Sequence, residues 1–597
     1  MGQNDPRNRK PSGLDPLAVS PAVTCLVVAL LAGIVSWRSD SQLRTLSRLP
    51  KLPDSGVLVT LRTDPTTTAG VTTAIASLHR TRVRLVSRGA IGSALTKAES
   101  GNTVVVSGSM KQVPMRSWRV ARHLVGDFHL TAVGSLGAGS VLSQIANRTR
   151  HVILASTKHF EPTDRALFAG FVLGDDRGQP PWVADDFRAA GLTHLLVVSG
   201  QNVAFVLAVA QPLLRRFRRR GRFAASLALL LLFAAVTRFE PSVLRASAMA
   251  AISLGLRTQG RPQRSLRVLS MAVVVLVCID PLLTWSLGFI LSVGACVGLS
   301  TVTPWVERHL ERVRLPHSFR TMLAATVGAQ VGTLAPMIWA FQGVPVLSIL
   351  ANIVALPAAA PVMVWGLAVG VPTGLAVGVV GSGPARLLQI PTQICLRWVT
   401  KVAETVAQIP LAEVQLFTLV LAIAGSAALS TLWWSWGAKF RWSLPGGLVV
   451  GLTFVLPLLG PIVWAPRVQF RTIERGALAY NINGHLGRTA DVLVLSHGVR
   501  TEPLLAALRR NRIRAVHLVV IRSGGRPQAQ VVSALSKRVD VGAVLVGERA
   551  FSGHVRPVIV ARPQMALQAN EIRVAIQQIS SAGSIAYELT NSAGLTP

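Results

Sequence analysis

The sequence predicts a polytopic α-helical membrane protein with two soluble parts. One is an N-terminal β-rich domain of the OB-like kind, the other a C-terminal α/β domain. Three observations carry this. Half of the 597 residues are apolar and the mean hydropathy is +0.47. Many apolar runs approach the roughly 20 residues that a helix needs to cross a bilayer, and they lack charges, which excludes a large soluble enzyme. The two stretches outside these runs, 38–140 and 466–597, carry the periodicities of strands and of strands alternating with helices.

Residues 1–37 come first. A basic segment with Arg7, Arg9 and Lys10 leads into "AVTCLVVALLAGIVSW", residues 22–37. No clear cleavage site follows, so this reads as an uncleaved first span with a cytoplasmic N-terminus. Residues 38–140 change character. "SGVLVTLRTD", "RTRVRLVSRG" and "GNTVVVSGSM" are short strand-like runs separated by Gly, Ser, Asp and Asn. The pattern suits a small barrel. Such barrels often bind single strands through aromatic and basic groups, but aromatics are scarce here before Trp118 and Phe128, so a plain spacer domain fits equally.

The core is expected over 141–465. Residues 141–189 read as partly amphipathic helices. Spans then crowd together at 190–214, 223–237, 242–256, 268–280, 283–300, 321–340, 343–373, 414–432 and 443–463. Pro241, Pro281, Pro345 and Pro357 mark expected interruptions, which a membrane tolerates only where protein or water satisfies the freed backbone. In the tail, "ADVLVLSHG", "AVHLVVI" and "VGAVLVGE" read as strands, and "TEPLLAALRRNRI" and "QAQVVSALSKR" as helices.

The net charge is +35. Basic loops of membrane proteins collect on the cytoplasmic side, and "RRFRRRGR" at 215–222, "RTQGRPQRSLR" at 257–267 and the loop around 306–320 are each separated by two crossings. That scheme places 38–140 and 466–597 outside the cell membrane. Positive surface also attracts polyanions. The four cysteines lie in or beside apolar runs without a CxxC, so they read as small buried hydrophobes. No GxxxxGK[ST] phosphate loop or other cofactor motif occurs, and no cofactor is expected.

The informative stretch is "GLTHLLVVSGQNVAFVLAVA", 191–210. His194 opens it, and Ser199, Gly200, Gln201 and Asn202 stand near its middle. Polar groups inside a span face a bundle interior or a wet path, although Ser and Asn also act as plain interhelical glue. Gly200 permits a bent or closely approached backbone. Other spans add Glu240 at an entrance, then Arg245, Ser292, Gln330 and Asn352. Together these predict a hydrophilic lumen. Ahead of them, Asp175, Asp176, Asp185 and Asp186 crowd the edge of the first core span. Paired carboxylates can hold a divalent ion, but an ordinary turn and a helix cap at Asp185 account for them as well.

The run "FVLGDDRGQPPWVADDFRAAGLTHLLVVSGQNVAFV", 171–206, resembles the signature of the ComEC family, bacterial membrane channels that pass one strand of DNA into the cytoplasm during natural competence. The likeness continues at Pro241, Arg245 and Met249, at Asp280–Pro281 with Gly288, Phe289 and Ser292, and at Gln330, Pro336, Phe341, Asn352 and Pro357. It implies an outside OB-like domain, a multi-span channel core and a metallo-β-lactamase-like tail. It also implies partners: single-stranded DNA, the lipid membrane, a separate DNA receptor and a cytoplasmic ATPase or helicase. The tail departs from the pattern. Intact members carry an HxHxDH metal cluster, whereas here His497 is followed by "GVRTEPL". One histidine does not supply a two-metal site, so His497 is a remnant position and no metal and no nuclease activity are expected. A membrane-anchored nuclease and a transporter of a smaller solute stand as the alternatives.

Overall fold

The computed structural model describes residues 21–409 apart from 48–55, 69, 79–80, 260–262, 342 and 345–346. It also describes 414–415, and 468–591 apart from 484–487, 497, 523–525, 548–556 and 580–583. Most of the span expected at 414–432, all of that at 443–463, Pro345 and His497 lie outside the described residues.

Helix α1 (Pro21–Leu46) runs past the expected boundary at residue 37. Its polar end is helical too, supported by an Arg44–Asp40 pair one turn apart at 2.6 Å. Six strands follow: β1 (Val57–Leu61), β2 (Thr66–Thr68), β3 (Val71–Leu78), β4 (Thr81–Arg88), β5 (Thr103–Lys111) and β6 (Leu124–Gly137). Helix α2 (Gly89–Leu95) lies between β4 and β5, and α3 (Ser117–Val120) before β6. β1 pairs with both β5 and β3, so the order β1-β5-β6-β4-β3 closes on itself into a barrel. β4 and β6 run parallel, which a hairpin cannot achieve and the long crossover through β5 can. Alternate residues point inward, as β1 illustrates with Val57, Val59 and Leu61 buried. Leu85, Leu95, Val104 and Phe128 complete the fill.

The core is helical: α4 (Val141–Ala155), α5 (Pro162–Leu173), α6 (Pro181–Ala189), α7 (Thr193–Leu196), α8 (Gly200–Leu214), α9 (Arg219–Val236), α10 (Pro241–Thr258), α11 (Ser265–Ile279), α12 (Leu287–Leu310), α13 (His317–Phe341), α14 (Ser348–Val380), α15 (Gly383–Leu388) and α16 (Ile390–Ala407). A 3-10 turn, Pro281–Trp285, precedes α12. The short strands β7 (Gly343–Val344) and β8 (Val414–Gln415) pair with each other. Helices α12, α13 and α14 are long and apolar enough to cross a membrane, with α8 and α11 shorter but apolar. The chain is a membrane protein on this ground.

One expectation about the spans changes, that at Pro357. The run 190–214 is two helices, α7 and α8, joined by extended backbone at Val197–Ser199. Pro357 does not interrupt its segment: α14 continues for 33 residues through Pro357, Pro361 and Pro372. Proline disturbs the backbone bonding of the preceding turn, and there the Trp398 indole of α16 donates to the Val354 carbonyl at 3.0 Å. Buried Ala355, Ala359, Val362 and Met363 hold the same stretch in the core. Pro241 and Pro281 do open elements.

α12 and α13 form a hairpin whose crossing is made of glycine. A Cβ on Gly298 would lie 2.0 Å from the Gly328 carbonyl oxygen, and one on Gly294 would lie 2.5 Å from that of Gly332. Gly294/Gly298 and Gly328/Gly332 are each four apart, so each pair occupies one helix face.

The helices share a polarity. Ser242 at the start of α10 donates to the Val198 carbonyl before α8 at 2.7 Å. The C-terminal carbonyls of α5 and α9, Leu173 and Val236, both accept from Arg150. Arg38 reaches the last carbonyls of α11, Cys278 and Ile279. All these ends adjoin the barrel. The hairpins α8–α9, α10–α11 and α12–α13 therefore turn at the opposite end, where Arg215, Arg216, Arg218, Arg219, Arg257, Arg264, Arg312 and Arg314 gather.

In the tail, β9 (Val468–Glu474), β10 (Ala477–Asn483), β11 (Arg488–Leu495), β12 (Ile513–Ile521), β13 (Asp540–Val546) and β14 (Val558–Val560) form one sheet in the order β14-β13-β12-β11-β10-β9. It is parallel from β11 to β14 and antiparallel at β9–β10–β11. Helices α17 (Thr501–Arg510) and α18 (Arg526–Ser536) supply the crossovers and bury one face. A second sheet, β15 (Ala566–Ala569), β16 (Ile572–Ile579) and β17 (Ile585–Asn591), covers the other. Burial on both faces explains the apolar run Val492–Leu495 that ends β11.

Candidate functional site: the break between α7 and α8

Ser199 stands at the N-cap of α8 with extended backbone, but its side chain caps nothing. Its hydroxyl donates instead to Asn202 Oδ1 at 3.3 Å, and Asn202 Nδ2 donates to the Phe171 carbonyl of α5 at 3.2 Å. Asn202 is thus a buried tie between helices. Gln201 is exposed and lines a small pocket with His194, Ser199, Phe205 and, from α14, Leu356, Ala359 and Met363. Gly200 faces away from Gln201, against α10. A Cβ there would lie 2.5 Å from Arg245 Nη2 and 3.1 Å from Ala246 Cβ, so glycine is what lets the guanidinium pass.

Arg245 is 5% exposed. Its Nε donates to Ser292 Oγ at 2.8 Å, and its Nη1 to Cys296 Sγ at 2.8 Å and Met249 Sδ at 3.2 Å. All three partners are neutral. Buried guanidinium groups ordinarily face a carboxylate, and none is bonded to this one among the described residues. Gly200, Arg245 and Ser292 therefore meet between α8, α10 and α12, while Ser199, Gln201 and Asn202 lie on the other side of α8, towards α5 and α14. Gln330 and Asn352 lie elsewhere. Gln330 donates to Ser348 at the start of α14 at 2.5 Å, and Asn352 is buried on α14 with Oδ1 unpartnered. Glu240 is the N-cap residue of α10 and makes no capping bond.

The four aspartates expected to crowd one entrance are split between two others. Asp175 accepts from Arg150 at 2.6 Å and from Arg177 at 2.7 Å. Arg150 and Arg177 also reach Asp64 of the barrel, at 3.5 and 3.4 Å. Arg238, at a left-handed backbone position after α9, holds the same Asp64. Burial alone would raise the Asp64 carboxyl, but Arg238, Arg177 and Arg150 outweigh it and keep it below its ordinary value. Asp176, next in sequence, is exposed in the turn.

Asp185 and Asp186 lie on α6 and face the tail. Asp185 is fully buried and 3.2 Å from Arg509 of α17, while Asp186 pairs with Arg538 beyond α18. Arg188 adds Glu502 at 3.2 Å, and Arg538 reaches the Ala407 carbonyl at the end of α16 at 3.3 Å. These carboxylates face arginines of the tail, and Asp185 lies inside α6, whose N-cap residue is Pro180, so it is no helix cap. Their partners are more than 300 residues away in sequence. Among the described residues no group of three or more His, Cys, Asp or Glu is placed to hold a metal ion.

Several organising residues carried no signal in the sequence. In the sequence Arg150 is one charge in the partly amphipathic stretch 141–189, and Asp64 and Arg238 are single charges beside apolar runs. His123, which sits 2.9 Å from Asp280 and so ties the barrel to the 3-10 turn, was equally inconspicuous. On the barrel, Phe128 is core. Trp118 is partly exposed under the Arg119 guanidinium, 4.7 Å from its ring.

The family described as Competence protein matches residues 171–439. Over 284 residues the chain is 21% identical to ComE operon protein 3 of Bacillus subtilis (strain 168), a stretch that covers 47% of this chain and 34% of that protein. The match thus spans about a third of that relative's length. No solved structure matches. The helical core, with the break between α7 and α8 inside it, is the part that is similar to competence proteins.

Proposed function

We propose that the protein is a membrane channel that conducts single-stranded DNA into the cytoplasm, with no catalysis of its own. The observation that carries this reading is the broken span. Extended backbone before α8 places the Gln201 amide and the Ser199 hydroxyl on a pocket against α14, and the opposite face of the same turn packs on a buried arginine with no acidic partner among the described residues. Polar groups in a membrane segment mark a substrate path, and a strand carries one phosphate per nucleotide for a cation to meet. The likeness to competence proteins supplies the substrate class.

On this reading the closed barrel is OB-like, with its single parallel pair β4–β6. The two-sheet tail is read as a metallo-β-lactamase-like sandwich, with one helical layer among the described residues, that has lost its metal chemistry. Barrel and tail both lie outside the cell. The arginine-rich turns lie at the end away from the barrel, as a cytoplasmic face requires. The tail docks on α6, which directly follows the Asp175 loop that touches the barrel. A DNA receptor outside and an ATPase or helicase inside complete the path. The sequence holds no phosphate loop to drive transport.

The test is uptake of labelled DNA into the cytoplasm in a deletion strain, complemented with wild type or with Gln201→Leu. Wild type restores uptake. Gln201→Leu abolishes it while membrane level and protease resistance stay at the wild-type value. Uptake that falls only in proportion to protein level returns Gln201 to a packing role. A deletion strain that takes up DNA normally but fails on a small solute overturns the reading in favour of a solute transporter.

A further inference from the structure

We propose that the α8–α9 and α10–α11 turns form one binding surface for anionic phospholipid headgroups, which seats this end of the helical core in its bilayer. The proposal needs the core to span a membrane and is independent of what the core conducts.

The sequence supplies the charge and withholds the counter-charge. Residues 215–222 hold six arginines and residues 257–267 four, and neither stretch holds an acid. Arg215, Arg216, Arg218, Arg219, Arg220 and Arg222 are exposed, and so are Arg257 and Arg264. Among the described residues none of these eight guanidinium groups pairs with a carboxylate or bonds to another group. The two stretches are neighbours in space. A Cβ on Gly255, two residues before Arg257, would lie 3.8 Å from the ring of Phe223, which follows Arg222. The start of α9 therefore lies against the end of α10, and the arginines of both turns belong to one patch.

Helix length sets the depth of that patch. α9 and α10 have 18 residues each and α11 has 15. At 1.5 Å per residue they are about 27, 27 and 22 Å long, whereas the hydrocarbon of a bilayer is about 30 Å thick. Their opposite ends adjoin the barrel. Arg219, Arg220, Arg222 and Arg257 fall within those lengths, so they stand at the depth of the lipid phosphates rather than in the water beyond. Their stems run along apolar surface until the guanidinium reaches a phosphate. Apolar side chains share the same tips: Leu213 is 57% exposed, Phe217 48% and Leu266 39%. An aromatic ring between two arginines, as Phe217 is between Arg216 and Arg218, suits a membrane–water interface. It does not suit a strand or a soluble partner met in water, which would leave Leu213 and Leu266 uncovered. Each guanidinium presents a planar fork that fits a phosphate by two parallel bonds. Phosphatidylglycerol brings a net negative charge to that fork, whereas phosphatidylcholine carries its own ammonium beside the phosphate. The patch therefore selects the anionic lipid.

The full chain is reconstituted in phosphatidylcholine nanodiscs with a trace of spin-labelled phosphatidylglycerol or of spin-labelled phosphatidylcholine. Electron paramagnetic resonance reads the share of each label that the protein immobilises. Wild type is expected to favour phosphatidylglycerol, and the preference to fall as salt is raised. Arg218→Gln/Arg219→Gln/Arg220→Gln/Arg222→Gln is expected to lower the preference about fivefold or more, the contribution of a single arginine near an anionic surface. The corresponding lysine variant keeps the charge and most of the preference. Should the fourfold glutamine variant fail to accumulate, Arg219→Gln/Arg220→Gln decides by a loss in the same direction.

Equal immobilisation of the two labels by wild type overturns the surface. So does a preference that the glutamine variants leave untouched, which assigns the headgroups to another part of the chain. A short fluorescent oligothymidylate is titrated onto the same nanodiscs. If it binds wild type and not the glutamine variant, while the two lipid labels are not distinguished, the arginines serve a nucleic-acid strand and the lipid surface falls.

Discussion

Arg238 and Asp64 meet in a two-pronged ion pair, at 3.1 and 2.8 Å, across 174 residues of sequence. One belongs to the turn after α9, the other to the barrel. Arg238 also donates to Asn147 of α4, and Asp64 collects Arg150 and Arg177 as well. One buried carboxylate of the barrel thus gathers three arginines of the helical core.

Removing that carboxylate should free the barrel. Breaking a buried pair from one side typically costs about 3–5 kcal/mol because the other charge is left uncompensated, and here three arginines lose a partner. Asp64→Ala is expected to make the segments flanking the barrel sensitive to protease while the helical core stays resistant. Equal resistance of both in Asp64→Ala and wild type would remove Asp64 from this role.

The tail should dock in a pH-dependent way. Burial pushes the Asp186 carboxyl up to about 7, against the pull of Arg538 and with Asp185 adding to the rise. The docked state therefore holds this proton more tightly than the undocked one. Its contribution is complete below about pH 4, the range of a free carboxyl, and is lost as the pH climbs through about 7. Hydrogen exchange of α6 and α17 should be slower at pH 5 than at pH 8. In Asp186→Asn, neutral throughout, that difference should disappear, with exchange slow at both values. An undiminished difference in Asp186→Asn assigns it to another group.

The glycine crossing makes a contrast between neighbouring positions. Gly298→Leu has no room, and overpacking of this kind costs about 1–3 kcal/mol or more. Thermal denaturation in detergent should show a lower midpoint for it. Gly288→Ala should match wild type, because a Cβ there meets only Ser286 Oγ at 3.9 Å. Equal midpoints for the two variants would mean that the hairpin does not pack through this crossing.

The purified full chain should not cleave DNA with Mn²⁺, Mg²⁺ or Zn²⁺, given the residues that follow His497 in sequence. Metal-dependent cleavage that vanishes in His497→Ala would restore the nuclease reading.

Much of the architecture was legible because it is local. The strands of the barrel and of the tail announce themselves by alternation or by unbroken apolar runs between turn residues, and β1, β4, β5, β11, β12 and β13 fall where those runs lie. The break at Ser199 is local too, written in polar residues within an apolar run. What the sequence hides is long-range. Asp185 and Asp186 resemble a metal site or a cap until Arg509 and Arg538 arrive from the other end of the chain. Asn202 and Gln330 look like lumen residues, yet each spends its amide on a neighbouring helix. Pro357 reads as a break because proline weakens an isolated helix, whereas a packed one is held by its neighbours. The isolation of Arg245 from carboxylates is likewise visible only in three dimensions.

The shared polarity of the hairpins bears on how the protein is made. Each of α8–α9, α10–α11 and α12–α13 turns at the same end, and that end carries the arginines. A growing chain can therefore deliver them to the bilayer two helices at a time. On the proposed topology each turn stays on the side of the ribosome while only the apolar arms go through. None of these arginines has to be dragged across hydrocarbon, where each would cost about 2.5–3.5 kcal/mol at the centre of a helix. On that topology the order of synthesis and the order of insertion coincide, and the barrel, made earlier, already waits at the far face when the first hairpin arrives.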